Sequence, residues 1–300
     1  MALLSLRVLV VGMLRERTGK TALIMSLATG LKKRGVKVGI MKPLGFCDWY
    51  SDYMVVREGL EEGRLAAREA IEAKLVLGLR EPCEVLNPVS CLLVPLNPIT
   101  FYEYRAPRSF FTHYLDLMRR IAAVRLTFYT ERGVISRGYL NAPLLEKGLA
   151  LVSVEEVKRM LRRAEFLEKV KGIRELNKVL SGLAPKAILS CLDYLSRRYR
   201  VLLIEGLGDL AWPLGDLRED VDCVIAVAPG MTVVYDAARY KLAVGLRAEI
   251  SGDVRVEEVA EYLTPKAYFK IPPLDYGELP ESRAEKIEPL IEYLVDAWQK

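Results

Sequence analysis

The chain has 300 residues, 51% of them hydrophobic, so it can bury a sizeable core. Forty-four basic against 39 acidic residues leave a net charge of +5, and no basic block interleaves with aromatics, so nucleic-acid binding finds no support. Five scattered cysteines without a C-x-x-C pair, and a single histidine, argue against a structural zinc site or a disulfide framework.

The apolar start, Met1 to Gly12, resembles the core of a signal peptide. It runs into a glycine loop without a small-residue cleavage site, so it reads as a strand. With no stretch of about 18 uninterrupted apolar residues, no membrane span is expected, and the chain is read as a cytoplasmic protein.

Val8 to Gly12 is β-branched and apolar, as a buried strand should be. A turn over Met13 to Thr18 leads to Gly19-Lys20-Thr21, and helical periodicity runs from Thr21 to Leu31. This order is that of a phosphate-binding loop. Backbone N–H groups at the helix start face phosphate oxygens, the lysine bridges them, and the hydroxyl holds Mg²⁺. Six residues separate Gly12 from Gly19, where about four is usual. The ordinary alternative is a solvated Lys20 at an unremarkable strand–helix turn. Arg15 and Arg17 lie inside the loop, where two cations would strengthen triphosphate binding or reach across a dimer; a flexible exposed turn would carry them equally well.

Lys32-Lys33-Arg34-Gly35 ends the first helix. A second short strand, Val36 to Met41, runs into Lys42-Pro43, which puts Lys42 at a strand's carboxyl end, where functional groups of such sheets gather. Tyr53 to Leu79 reads as helix, broken near Gly59 and Gly63. Leu86 to Pro95 has strand character, and Ser109 to about Leu183 reads as mostly amphipathic helix. A helix from Pro185 to Arg198 feeds the buried strand Val201 to Ile204, closed by Glu205-Gly206-Leu207-Gly208-Asp209. Val221 to Val227 is another buried strand, followed by a helix from Asp236 to Val244. A late strand, Ala267 to Pro272, precedes a terminal helix from Ser282 to Lys300. The expected fold is α/β of the P-loop NTPase class, a single domain over 1–300. Its sheet is mostly parallel with helices on both faces, and a mostly helical insertion covers about 109–183.

Gly19-Lys20-Thr21, Lys42-Pro43 and Glu205-Gly206 occur in the order found in dethiobiotin synthetase, and the chain resembles that family, including the related amino-terminal domain of some phosphotransacetylases. Asn97-Pro98 through Ala106-Pro107-Arg108 is similar to the synthetase's Asn-Pro segment, and Glu205 through Pro213-Leu214 to its Glu-Gly-Ala-Gly-Gly segment. The resemblance spans about residues 5–110 and 185–230. It implies ATP and Mg²⁺ as cofactors. Gly12, Arg15, Arg17, Thr18, Gly19, Lys20 and Thr21 would form the nucleotide loop, and Lys42 would join Lys20 in catalysis. Thr21 and Glu205 would hold the metal, with Glu69 as a further carboxylate; a glutamate on a charged helix is more often simply solvated. It also implies a homodimer.

The departures fall on the substrate side. Phe46 stands where the family has serine, Ala106-Pro107-Arg108 replaces Ser-Pro-His, and no adenine-reading asparagine occurs over Gly230 to Asp236. Two readings follow: an ATP-dependent ligase of synthetase type with an altered substrate site, or a nucleotide-binding module that regulates or engages an unknown small molecule or protein. A decayed loop in a structural protein is the third.

Overall fold

The computed structural model describes residues 5–213, 221–251, 253–275 and 277–299. The expected strand start at Met1, the end of the Glu205 segment at Leu214 and the last helical residue Lys300 lie outside them. The chain begins with β1 (Leu6–Gly12), α1 (Lys20–Lys33), β2 (Val38–Met41) and β3 (Leu44–Asp48). Next come α2 (Tyr53–Glu62), α3 (Arg68–Leu77), α4 (Cys83–Leu86), β4 (Val89–Leu93), α5 (Pro98–Glu103) and α6 (Pro107–Leu115). A 3-10 turn (Leu117–Arg120) leads to β5 (Ile121–Thr130) and β6 (Gly133–Asn141), then α7 (Ala142–Glu146), α8 (Val154–Met160), β7 (Phe166–Val170) and α9 (Ile173–Ser196). The last part holds β8 (Val201–Glu205), β9 (Cys223–Ala228), β10 (Met231–Asp236), α10 (Ala237–Ser251), α11 (Val256–Ala260), β11 (Ala267–Lys270), α12 (Pro280–Glu285) and α13 (Glu288–Gln299).

The fold is α/β with mixed sheets, and the chain divides into two compact units where the sequence suggested a single domain. The first comprises Met1–Pro43, Glu72–Arg80 and Leu192–Lys300; the second comprises Leu44–Ile71 and Glu81–Cys191. The first unit holds a six-stranded sheet in the order β11-β10-β9-β1-β8-β2. β2, β8, β1 and β9 are parallel; β10 runs against them at one edge, and β11, antiparallel to β10, takes up their direction again. Val8 to Val11, Leu202 to Ile204 and Val224 to Ala226 are all fully buried, as expected for central parallel strands covered on both faces. α1 packs on β1, β2 and β8, and α10 on β9 and β10. The close approach of α1 to α13 depends on Gly30, where a Cβ would stand 2.3 Å from Ile291 Cδ1.

The second unit is built on a five-stranded sheet, β3-β4-β5-β6-β7, in which β4–β5 and β5–β6 are antiparallel. This corrects the reading of 109–183 as mostly helical. β5 and β6 form a hairpin whose turn closes at Thr130 and Gly133, the glycine at φ +108°. Arg125 sits within β5 as a buried cation. It is 3% exposed, and its guanidinium donates to the carbonyls of Leu65 (2.7 Å) and Asn87 and to the Thr127 hydroxyl. β7 escaped because it is an edge strand with four of its five residues exposed. α9 begins at Ile173 and runs through Pro185, which had read as a helix start.

Candidate functional site

The site lies in the first unit, at the carboxyl ends of β1, β8 and β2. Val10 is in register with Glu205, and Met41 with Ile204, so Lys42 and Glu205 emerge side by side from neighbouring strands. β8 lies between β1 and β2, so the strand that ends at Lys42 is not the loop strand's direct neighbour. Side-chain length makes up the interval. Lys42 Nζ donates to Glu205 Oε1 at 2.9 Å and contacts the Gly206 carbonyl at 3.4 Å.

The loop from Met13 to Gly19 joins β1 to α1. Gly19 caps the helix at φ +82°, and Arg17 also takes a positive φ of 55°. No side chain caps the helix start and no acidic residue sits in its first turn, so its leading N–H groups meet no carboxylate of their own. Leu23 is the first residue to return a bond within the helix, to Gly19 O at 2.9 Å.

Lys20 Nζ donates to Gly208 O at 2.8 Å and to the hydroxyl of buried Thr18 at 3.3 Å. Thr21 Oγ1 donates to Glu205 Oε1 at 2.9 Å. One carboxylate oxygen thus collects the loop threonine and the Lys42 ammonium. Glu205 is 3% exposed and Lys42 6%, so the ion pair is screened little by solvent. Gly12 leaves room for this arrangement: a Cβ there would stand 2.6 Å from Gly208 O, 2.7 Å from Lys20 Nζ and 2.9 Å from Leu14 O.

Of the residues singled out by sequence, the structure brings Gly12, Thr18, Gly19, Lys20, Thr21, Lys42 and Glu205 into one constellation. Arg15 and Arg17 are exposed on the loop. Glu69 stands in the first turn of α3 in the second unit, where its charge, after burial and the charges of Asp52 and Asp48, helps push the Cys47 thiol up to about 12.

Sequence reasoning missed the walls of a cleft of about 310 Å³ beside the loop. Arg17, Thr18, Gly19, Ala22 and Leu23 contribute to it, with residues 227–230 and 271–274. The signals were present in Pro229-Gly230, which turns β9 into β10, and in Ile271-Pro272-Pro273-Leu274 after β11. Gly208, at φ +53°, was noted only as part of a motif, and it supplies the carbonyl that receives Lys20.

Chemically the arrangement offers two cations, a helix start without a side-chain cap and a paired hydroxyl and carboxylate. Such a set of groups can receive a polyanion. The two oxygens also suit Mg²⁺, which takes one or two protein oxygens and completes its shell with water and phosphate. Compared with protein-family models and with curated proteins, the chain matches none.

Proposed function

We propose that the protein binds Mg²⁺-ATP on the loop between β1 and α1. We further propose that it uses the γ-phosphoryl group to activate a carboxylate- or carbamate-like oxygen, as a ligase of the dethiobiotin synthetase type. The observation that carries this reading is the meeting of Thr21 and Lys42 on Glu205 beside an uncapped helix start holding Lys20. Lys20 and the helix N–H groups would hold the phosphates, and Thr21 and Glu205 the metal. Lys42 would stand by the transferring group, where positioning and charge stabilisation do most of the work. The apolar cleft would receive the base. Glu69 has no part in this proposal.

A binding-only module is the second reading, and Lys42 favours it. Its ammonium is held by a buried carboxylate and the Gly206 carbonyl, a structural tie that needs no turnover to explain it.

Calorimetry with Mg²⁺ and a non-hydrolysable ATP analogue tests the shared core of both readings. Lys20→Ala is expected to lower affinity by roughly 100-fold or more, the loss of a charge-assisted phosphate contact. Unchanged affinity refutes nucleotide binding by this loop. Phosphate release with candidate amines and bicarbonate then separates the two: turnover supports the ligase, and its absence at a saturated site supports the module.

A further inference from the structure

α10 presents two faces. Tyr240, Ala243 and Val244 are buried inward, and the Tyr240 hydroxyl donates to Ala211 O at 3.1 Å. On the outward side Arg239, Leu242, Leu246 and Glu249 are all exposed, Leu242 at 66% and Leu246 at 59%. Their spacing of three, four and three residues is that of a coiled-coil seam, and at 3.6 residues per turn the four fall within a stripe about 80° wide. Tyr262, 61% exposed, borders the stripe, and with Arg239, Leu242 and Leu246 it lines a groove of about 410 Å³.

The stripe is palindromic about Val244. Leu242 stands two residues before it and Leu246 two after; Arg239 stands five before and Glu249 five after. We propose that this face binds a second copy of the chain, with α10 antiparallel to its symmetry mate about a two-fold axis at the level of Val244. In that register each Leu242 meets Leu246 of the other copy, and each Arg239 meets the other's Glu249. The contact is isologous and closes, as two-fold interfaces must. A parallel pairing would set arginine against arginine and glutamate against glutamate. An unrelated acidic or basic partner would satisfy one end of the stripe and repel at the other. The second copy is therefore the occupant whose charges fit both ends. Arg247, which also lines the groove, is held by Glu258 at 3.3 Å within its own chain. This inference stands apart from nucleotide binding and does not rest on it.

Sedimentation equilibrium over about 1–100 μM tests it. Wild type is expected at twice the 33.8 kDa chain mass. Leu246→Glu is expected to be monomeric throughout, its fold checked by circular dichroism and an unchanged melting temperature. Arg239→Glu alone is expected to weaken the pair by roughly tenfold, and Arg239→Glu with Glu249→Arg to restore it, because the swapped charges meet again only in the antiparallel register. A wild-type monomer at the top concentration overturns the proposal, whether or not the stripe then captures another protein or a vesicle. So does a dimer that survives Leu246→Glu, or a double swap no tighter than the single one.

Discussion

Replacing Lys42 by methionine should reveal how much of the first unit's stability rests on its buried ion pair. The ammonium lies 2.9 Å from Glu205 Oε1, with both side chains under 10% exposed. At that separation and an effective dielectric constant near 20, the gross attraction is about 6 kcal/mol, most of it offset by the cost of burying two charges. Removing the cation alone leaves the carboxylate buried, a loss of about 3–5 kcal/mol in general. The Thr21 hydroxyl remains at 2.9 Å and shields one oxygen, so the lower end, about 3 kcal/mol, is expected here. With a urea m-value of about 2 kcal/mol/M, the midpoint should fall by about 1.5 M. Lys42→Met with Glu205→Gln should recover about 2 kcal/mol of that loss, because the stranded charge is gone. Urea titration followed by circular dichroism reads both values. A Lys42→Met midpoint within about 0.3 M of wild type, or a double variant as unstable as the sum of the singles, refutes the account.

Two further outcomes follow from other contacts. Gly12→Ala should cost about 2–3 kcal/mol and weaken nucleotide binding, because the added methyl would meet the Gly208 and Leu14 carbonyls, backbone that cannot rotate away; thermal melting and calorimetry would show it, and a variant indistinguishable from wild type would disprove the crowding. In the second unit, burial pushes the Asp48 carboxyl up, but the Ser51 and Tyr50 N–H groups and Arg120 outweigh it and hold the group below its ordinary value. A depressed folded value stabilises the protein above the unfolded value, near 4, and that contribution disappears as pH falls through the folded one. Asp48→Asn should therefore destabilise the protein at pH 6, and the gap to wild type should close in acid below about pH 4. A gap independent of pH would show that the carboxylate charge is not what matters.

The elements around the site were readable from sequence because each has a local cause. A β-branched run, two glycines and helical periodicity announce β1, the loop and α1, and apolar strands ending in Lys42 and Glu205 announce two more elements of the same sheet edge. What failed depends on partners distant in sequence. Arg125 makes sense in a strand only once the carbonyls of Leu65 and Asn87 surround it. β10 runs antiparallel to β9 because Pro229-Gly230 makes a tight return, a turn signal that the expectation of strand–helix repetition overrode. That β8 separates β2 from β1 is likewise a fact of topology, with no residue in β2 to report it.

That insertion also bears on the order of assembly. β1 is flanked by β8 and β9, both synthesised after residue 200, while β1 itself is complete at Gly12. β2 ends at Met41, and its partner in the sheet begins at Val201. The first strands to leave the ribosome thus wait with unpaired edges while the whole second unit is made. Closing such a loop costs entropy that no contact repays until β8 arrives, so the sheet carrying the site forms late and over long sequence separations. A nascent chain halted before Val201 would bear the glycine loop and Lys42 on strands that have nothing to pair with, the kind of edge that recruits other chains.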